Sequence, residues 1–300
     1  MYDIIIVGAG PAGLTSAIYA RRSLKKTLVL EALSYGGQII NTLKIDNYPA
    51  SPGISGFDFA SKLYNQVKQL DAEVKFEKVI DIKDNINFKE VITNKSAYKT
   101  KTIILATGCE NKMLGIDREE ELVGKGVSYC ATCDGAFYKG KDVAVIGGGN
   151  TALSEALYLS DIASKVYLIH RRDKFTGEEI ILDNLKKKKN IEFVLNSNVT
   201  KLNGEKLESI EVTSENNKKT INVSGIFIAI GKTPKNENFK KLVSLNDYGY
   251  IIASEDCHTN KRGIFVAGDC REKKIRQLVT ATSDGAIASE EAIKYINDNY

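Results

Sequence analysis

The sequence contains no apolar run of the roughly 18 residues that a membrane-spanning helix needs. Its net charge of +4 is too weak to indicate nucleic acid as a partner, and the lysine run 186–189 is typical of a solvated helix end. No secretory leader is recognisable, because residues 2–7 already have the pattern of a buried strand that enters a glycine turn. From these 300 residues we therefore expect a cytoplasmic protein of two domains.

Cysteine and histidine are also scarce, with five and two residues respectively. Cys130 and Cys133 form a CxxC sequence, which in a cytosolic protein is more often redox-active or metal-binding than structural. A zinc site needs about four ligands. Outside the CxxC, the further cysteines stand singly, and His170 and His258 are the two histidines that could add ligands. The pattern therefore favours a redox dithiol over half of a zinc site. The other cysteines are predicted to be small buried or partly buried residues: Cys109, Cys257 and Cys270.

A first glycine-rich fingerprint, Gly8-Ala-Gly-Pro-Ala-Gly13, opens the chain. It follows the apolar run 3–7 and precedes a predicted helix, as expected for a strand covered on both faces that enters a phosphate-binding turn. Glu31 ends the next predicted strand, 23 residues after Gly8, where a carboxylate would hold ribose hydroxyls. This unit is predicted to bind FAD or NAD.

A second fingerprint, Gly147-Gly-Gly-Asn-Thr-Ala152, follows the predicted strand 142–146. At the same offset of 23 residues, His170-Arg171-Arg172 stands in place of the acid. A carboxylate would repel a 2′-phosphate whereas arginines attract it, so this unit is predicted to bind NADP. The alternative for either fingerprint is a tight strand–helix turn without a ligand.

Two further strands that end in small residues, 102–108 and 263–269, indicate a flavin. Asp269 could bind a ribitol hydroxyl, and the helix that begins near Arg276 could stabilise negative charge on a reduced flavin with its N-terminus. A nicotinamide, a flavin and a CxxC in one chain describe a short path for electrons that ends on a partner molecule.

These elements predict an α/β fold of two Rossmann-like dinucleotide-binding domains, three-layered with largely parallel central sheets, the second inserted in the first. The FAD-binding domain is expected at 1–113 and 245–300, and the NADPH-binding domain with the CxxC at 114–244. The disulfide and the NADPH share one domain, yet both must reach the same flavin. Rotation of that domain is therefore expected, with hinges near 112–116 and 240–246.

Together the motifs resemble the low-molecular-weight, bacterial-type thioredoxin reductases over essentially the full chain. The sequence CATCDG directly ahead of the second fingerprint distinguishes this family from relatives that carry the cysteines elsewhere. The matching segments are 8–13, 36–38, 46–49, 106–108, 130–134, 147–152, 170–172, 229–231, 268–270 and 276–277.

The resemblance implies a homodimeric thioredoxin-disulfide reductase that passes electrons from NADPH through FAD to the Cys130–Cys133 pair and on to thioredoxin. Asp134 would be the acid that protonates the outgoing dithiol, and no metal is implied. The implied FAD contacts are Gly8, Gly10, Pro11, Ala12, Gly13, Glu31, Gly37, Gln38, Asn47, Thr107, Gly108, Asp269, Arg276 and Gln277. The implied NADPH contacts are Gly147, Gly149, Asn150, Thr151, His170, Arg171, Arg172, Thr176, Ile230 and Gly231.

The resemblance also implies that the region around Phe137 docks thioredoxin, with Lys125, Ala136 and Tyr138 beside it. The alternative is that Phe137 belongs to the core.

Two positions depart from the family pattern. Thr176 stands where a further arginine is usual, which should weaken the preference for NADPH, and Ser154 replaces a usual glutamate with no effect that can be read from the sequence.

Two other functions remain open: the same flavoenzyme fed by NADH or reduced ferredoxin, and a non-enzymatic redox sensor that signals through its flavin and disulfide. The retained Arg171 and Arg172 argue against ferredoxin as the sole donor.

Overall fold

The computed structural model describes residues 1–42, 44–214 and 217–300, which form two compact units. The discontinuous unit comprises Met1–Glu110 and Thr233–Tyr300, and the inserted unit comprises Asn111–Lys232. The chain enters the inserted unit between 110 and 111, close to the expected boundary between 113 and 114. It leaves this unit between 232 and 233, well before the expected boundary between 244 and 245. The reason is that Phe239 and Val243 are buried in a core of the discontinuous unit. The segment 240–246, expected as a hinge, thus lies inside that unit.

Strands and helices alternate at the start of each unit, and a run of consecutive strands follows in each. The strands are β1 (Tyr2–Val7), β2 (Thr27–Glu31), β3 (Glu73–Phe76), β4 (Val79–Asp84), β5 (Lys89–Thr93), β6 (Ala97–Leu105), β7 (Cys109–Asn111), β8 (Val127–Ser128), β9 (Asp142–Ile146), β10 (Lys165–Ile169), β11 (Ile191–Val194), β12 (Ser197–Asn203), β13 (Ser209–Ser214), β14 (Asn217–Asn222), β15 (Gly225–Ile228), β16 (Lys232–Pro234) and β17 (Ile264–Val266). The α-helices are α1 (Pro11–Arg22), α2 (Gly56–Gln69), α3 (Ala131–Asp134), α4 (Asn150–Ser160), α5 (Glu179–Lys186) and α6 (Leu278–Asn299). Short 3₁₀ helices span Gly37–Asn41, Gly135–Tyr138, Glu237–Phe239 and Gly268–Cys270.

The sheet of the discontinuous unit has the order β3-β2-β1-β6-β5-β4, and β17 also pairs with β6. The pairs among β1, β2, β3, β6 and β17 are parallel, and those of β5 with β4 and β6 are antiparallel. Ile4 and Ile6 pack in one core with residues of α1 and α6, while Ile5 and Val7 pack in a second core on the opposite face. Both faces of β1 are therefore covered, which explains its unbroken apolar sequence.

The inserted unit is built on the parallel order β11-β10-β9-β15-β8, with an antiparallel sheet of β12-β13-β14 beside it. Val143 and Val145 of β9 pack with α4 and α5. Ala144 and Ile146 pack on the other side with residues of β12, β13 and β14. The three-layered, largely parallel α/β fold is thus confirmed, and its third layer in this unit is a β-meander that the sequence did not reveal. Among the helices of the described residues, none has the length and apolar composition to cross a membrane.

Candidate functional site

The glycines in the turn between β1 and α1 have different structural roles. A Cβ on Gly8, whose φ is +111°, would lie 2.3 Å from the Ala106 carbonyl oxygen, and a Cβ on Gly13 would lie 1.9 Å from the carbonyl oxygen of Gly8. Both positions therefore require glycine so that strand and helix can pack. At Gly10 the nearest atom would be 4.0 Å away, so the N-terminus of α1, which begins at Pro11 and Ala12, is open to a phosphate.

Glu31 connects the end of β2 to this turn. Its Oε2 accepts a hydrogen bond of 2.8 Å from the Ala9 N–H, and its Oε1 accepts one of 2.9 Å from the Leu33 N–H. A carboxylate offers about four lone-pair positions, so acceptor capacity remains for hydroxyl groups. The side chain thus stabilises the turn and still suits the predicted contact to a ribose.

Several predicted flavin residues meet at the start of α6. Gln277 caps this helix, and its Oε1 accepts a hydrogen bond of 3.1 Å from Asn47 Nδ2. Arg276 donates to the carbonyl oxygen of Asp269 at 3.3 Å, and its guanidinium carbon lies 4.0 Å from the centre of the Tyr250 ring. Segments far apart in sequence are therefore brought to one helix N-terminus.

The remaining predicted flavin contacts lie in glycine-containing turns of the same unit. Gly37 and Gln38 begin an exposed 3₁₀ helix, and a Cβ on Gly37 would lie 3.3 Å from the Cα of Gly10. Gly108 has a φ of +67°, with nothing within 4 Å of where its Cβ would be. Thr107 precedes it and donates to Asn236 Oδ1 at 3.0 Å.

Two buried polar residues that support this region were missed by the sequence analysis. Asn236 is 1% exposed and donates to the Cys270 carbonyl oxygen at 2.8 Å and to that of Gly249 at 2.9 Å. Asp284 accepts from the Gly268 N–H at 2.9 Å and from Arg271 at 2.8 Å, which holds the turn that carries Asp269. The available signal for Asp284 was an acid just ahead of the small and apolar stretch 285–288 of α6.

The CxxC cysteines form a disulfide at the start of α3. Ser128 Oγ accepts a hydrogen bond of 3.1 Å from the Cys130 N–H and donates one of 2.7 Å to Asp134 Oδ2. Burial raises the pKa of the Asp134 carboxyl, and the hydrogen bond from Ser128 partly opposes this. Burial thus favours the protonated form of this carboxyl more than in an exposed aspartic acid, which is the direction that the role of an acid requires.

A second carboxyl, which the sequence analysis passed over, lies on α4 against the same short helix. Glu155 Oε1 accepts a hydrogen bond of 3.3 Å from the Ala131 N–H. Its Oε2 is buried and has no hydrogen-bond partner among the residues that the structure describes. Burial raises the pKa of Glu155 to about 7, and the charge of Lys232 acts in the opposite direction.

The second glycine turn, between β9 and α4, resembles the first in having one glycine required by close packing and another next to open space. Gly147 has a φ of +149°, and a Cβ there would lie 2.4 Å from the carbonyl oxygen of Ala229. At Gly149 the nearest atom would be Thr176 Oγ1 at 4.0 Å, so the approach to the first helical residues, Asn150 and Thr151, is open. Ile230 and Gly231, which has a φ of +110°, follow β15 in this unit.

The basic cluster after β10 divides into a buried ring and two exposed cations. The His170 ring lies beside Gly148, where a Cβ would come within 2.2 Å of it, and stacks on Phe175 at 5.3 Å between centroids. Burial lowers the pKa of His170, so the ring is neutral near pH 7. Arg171 and Arg172 are exposed, so the positive charge that this cluster offers to a ligand lies on them.

Thr176 faces the glycine turn and does not cap the next helix. Its N–H and its Oγ1 donate to the carbonyl oxygen of Gly148, at 2.7 and 3.2 Å. The helix α5 begins only at Glu179, with Glu178 as its N-cap. The missing arginine is thus replaced by a short side chain directly beside the predicted phosphate position.

The surface beside the CxxC contains an exposed aromatic ring. Phe137 is 41% exposed, which excludes the alternative that it belongs to the core. Lys125 and Ala136 are also exposed, while Tyr138 packs against Phe227 with 5.3 Å between ring centroids. The isolated cysteines Cys109, Cys257 and Cys270 are buried, as predicted.

Comparison with known proteins places this geometry in a family. The family model described as pyridine nucleotide-disulphide oxidoreductase matches residues 2–285. A thioredoxin reductase of Listeria innocua is 41% identical, with 99% of this chain and 95% of the relative covered, and one of Bacillus subtilis is 39% identical with 99% and 96% covered. The crystal structure of thioredoxin reductase from Streptococcus pyogenes matches with a TM-score of 0.95 at 36% identity, covering 99% of both chains.

Proposed function

The chain belongs to the pyridine nucleotide-disulphide oxidoreductases, in the group of thioredoxin reductases, and we propose that it is an NADPH-dependent thioredoxin-disulfide reductase. The observation that carries this proposal is the Cys130–Cys133 disulfide next to Asp134, whose carboxyl pKa is raised by burial, in the same unit as the second glycine turn. A structural disulfide would need neither the acid nor the nucleotide turn.

We assign FAD to the discontinuous unit. The open position at Gly10 fits a pyrophosphate, and the acceptor capacity left on Glu31 fits ribose hydroxyls. Bound there, FAD supplies a carrier for two electrons between nicotinamide and disulfide. Gln277 and the first N–H groups of α6 are placed to stabilise negative charge, since a helix N-terminus carries partial positive charge.

The chemistry assigned to the protein is centred on the CxxC. The disulfide bond breaks when it takes up two electrons, and two protons complete the two thiols. Asp134 holds one proton for the departing sulfur, oriented by Ser128, which also binds the Cys130 N–H. One thiol, as its thiolate, then attacks the disulfide of the partner, and the other resolves the mixed disulfide, which returns the Cys130–Cys133 bond.

The choice of electron donor and the enzymatic nature of the protein are tested together. Anaerobic titration of the flavin-loaded protein with NADPH, NADH and reduced ferredoxin should reduce the flavin most readily with NADPH. Steady-state consumption of NADPH in the presence of a thioredoxin then separates an enzyme from a redox sensor. Flavin reduction without turnover of thioredoxin would favour the sensor, and equal or better reduction by another donor would overturn the NADPH assignment.

Thr176→Arg should tighten binding of NADPH selectively. An arginine at this place beside the Gly148 carbonyl could add a charge-assisted bond to the 2′-phosphate, worth roughly 1.5–3 kcal/mol, or about one to two decades in affinity. NADH lacks that phosphate and should be nearly unaffected. The measurement is kcat/KM for both nucleotides in wild type and variant. Equal gains for both nucleotides, or no gain for NADPH, would contradict the charge argument.

Phe137→Ala should raise the KM for thioredoxin and leave reduction of a small disulfide dye unchanged. The ring is exposed beside the CxxC, and aromatic side chains of this kind anchor protein interfaces. Tyr248→Ala removes an exposed aromatic ring from the discontinuous unit and serves as the control. An equal loss with the dye, or loss of bound flavin in Phe137→Ala, would assign the ring a structural role.

Three further expectations stay predictions: rotation of the inserted unit between the half-reactions, a homodimer, and a cytoplasmic location. Rotation is expected because the disulfide and the second glycine turn belong to the same unit and both must serve one flavin.

A further inference from the structure

We infer that Glu155 is a positioning residue for the redox pair, whose carboxyl controls how readily the reduced Cys130 and Cys133 thiols form a thiolate. The inference rests on the proposed function, because it concerns the same CxxC. It adds a second acid to the site, on a different helix from Asp134.

The geometry connects Glu155 directly to the backbone of the redox pair. Its Oε1 accepts the N–H of Ala131, the residue bonded to Cys130, at 3.3 Å. Its Oε2 is buried and has no partner among the described residues. A purely structural carboxylate at such a depth is normally satisfied at both oxygens, because leaving a buried polar atom unpaired costs free energy.

The surroundings leave few other charges to act on this carboxyl. The elements β9, β10 and α5 contribute apolar side chains to the core that they share with α4. The short helix α3 carries Asp134, which is tied to Ser128, and the following turn carries Tyr138, whose pKa is raised to about 12 by burial and by the charge of Asp134. Lys232 acts on Glu155 and lowers its pKa, but burial outweighs it.

A carboxyl that titrates near neutrality affects the thiols above its pKa and much less below it. Because burial raises the pKa of Glu155 to about 7, the group is mainly protonated below this pH and mainly ionised above it. The ionised form places a negative charge on the N–H of Ala131, the residue after Cys130, and opposes a thiolate there, whereas the neutral form does not. Removal of the titratable group should therefore favour the thiolate most at alkaline pH.

The test measures thiol reactivity without relying on NADPH or thioredoxin. The flavin-loaded protein is reduced anaerobically with dithiothreitol, the reductant is removed, and alkylation of each cysteine by iodoacetamide is followed by peptide mass from about pH 5 to about pH 9. Glu155→Gln is compared with wild type. Glu121→Gln, an exposed acid of the same unit that pairs with Arg118, is the matched control.

The expected wild-type profile has an inflection near pH 7 that Glu155→Gln lacks, and above it the variant is alkylated up to about tenfold faster, the change that one pKa unit in a thiol allows. Glu121→Gln should follow wild type. Superimposable profiles for Glu155→Gln and wild type would overturn the inference.

If Glu155→Gln does not retain its flavin, Glu155→Asp takes its place in the test. This variant keeps a carboxyl group on a side chain that is one methylene shorter. The inflection should then move, and an unmoved inflection would also overturn the inference. Failure of the wild type to reduce thioredoxin would refute the proposed function, and it would leave this alkylation test readable.

Discussion

Cys130→Ser and Cys133→Ser should each abolish reduction of thioredoxin, while FAD stays bound and is still reduced by NADPH. The reason is that both sulfurs are joined in the disulfide that stands after the flavin in the proposed path of electrons, and serine cannot form that bond. The measurement combines thioredoxin-dependent oxidation of NADPH with anaerobic bleaching of the flavin absorbance.

Cys257→Ala provides the control for the cysteine variants. This cysteine is free and buried in the discontinuous unit, so its loss should leave thioredoxin turnover in place. Thioredoxin turnover at the wild-type rate by either CxxC variant would refute the assignment of the redox pair.

Asp134→Asn should lower kcat for thioredoxin reduction by about 10²–10⁴-fold, the range typical of a lost general acid. Asparagine can still accept the hydrogen bond from Ser128, so the variant removes the proton and keeps the geometry. Flavin reduction by NADPH should be little changed, because it precedes the step at the disulfide. A variant with wild-type kcat would exclude Asp134 as the acid.

The pH dependence of kcat provides an independent check on Asp134. Burial raises the pKa of its carboxyl, so the protonated form persists to higher pH than in an exposed aspartic acid. The wild-type kcat should fall as pH rises through that pKa, because the acid is then lost, and Asp134→Asn should lack this alkaline limb. Ser128→Ala, which frees both the carboxyl and the Cys130 N–H, should show a smaller loss with the limb retained but displaced.

Local sequence patterns were sufficient for the two nucleotide turns. Each needs a strand, glycines at particular positions and a helix, all within a short stretch of chain, and the structure explains two of the first three glycines by contacts that a Cβ would violate. The boundary of the inserted unit was less accessible to sequence reasoning. Phe239 and Val243 resemble any short apolar segment, and only their burial in the core of the discontinuous unit shows to which unit they belong.

The sequence by itself determined the α/β class, the order of the two dinucleotide-binding units and the position of the dithiol, because strand–turn–helix units and CxxC are encoded by neighbouring residues. Tertiary structure alone decided which polar groups serve these motifs. Ala131 and Glu155 are 24 residues apart, and Thr107 and Asn236 are 129 apart. Such pairs have no periodic signature, and the burial that shifts the pKa of Glu155 and of Asp134 arises only when the surrounding helices and strands have packed.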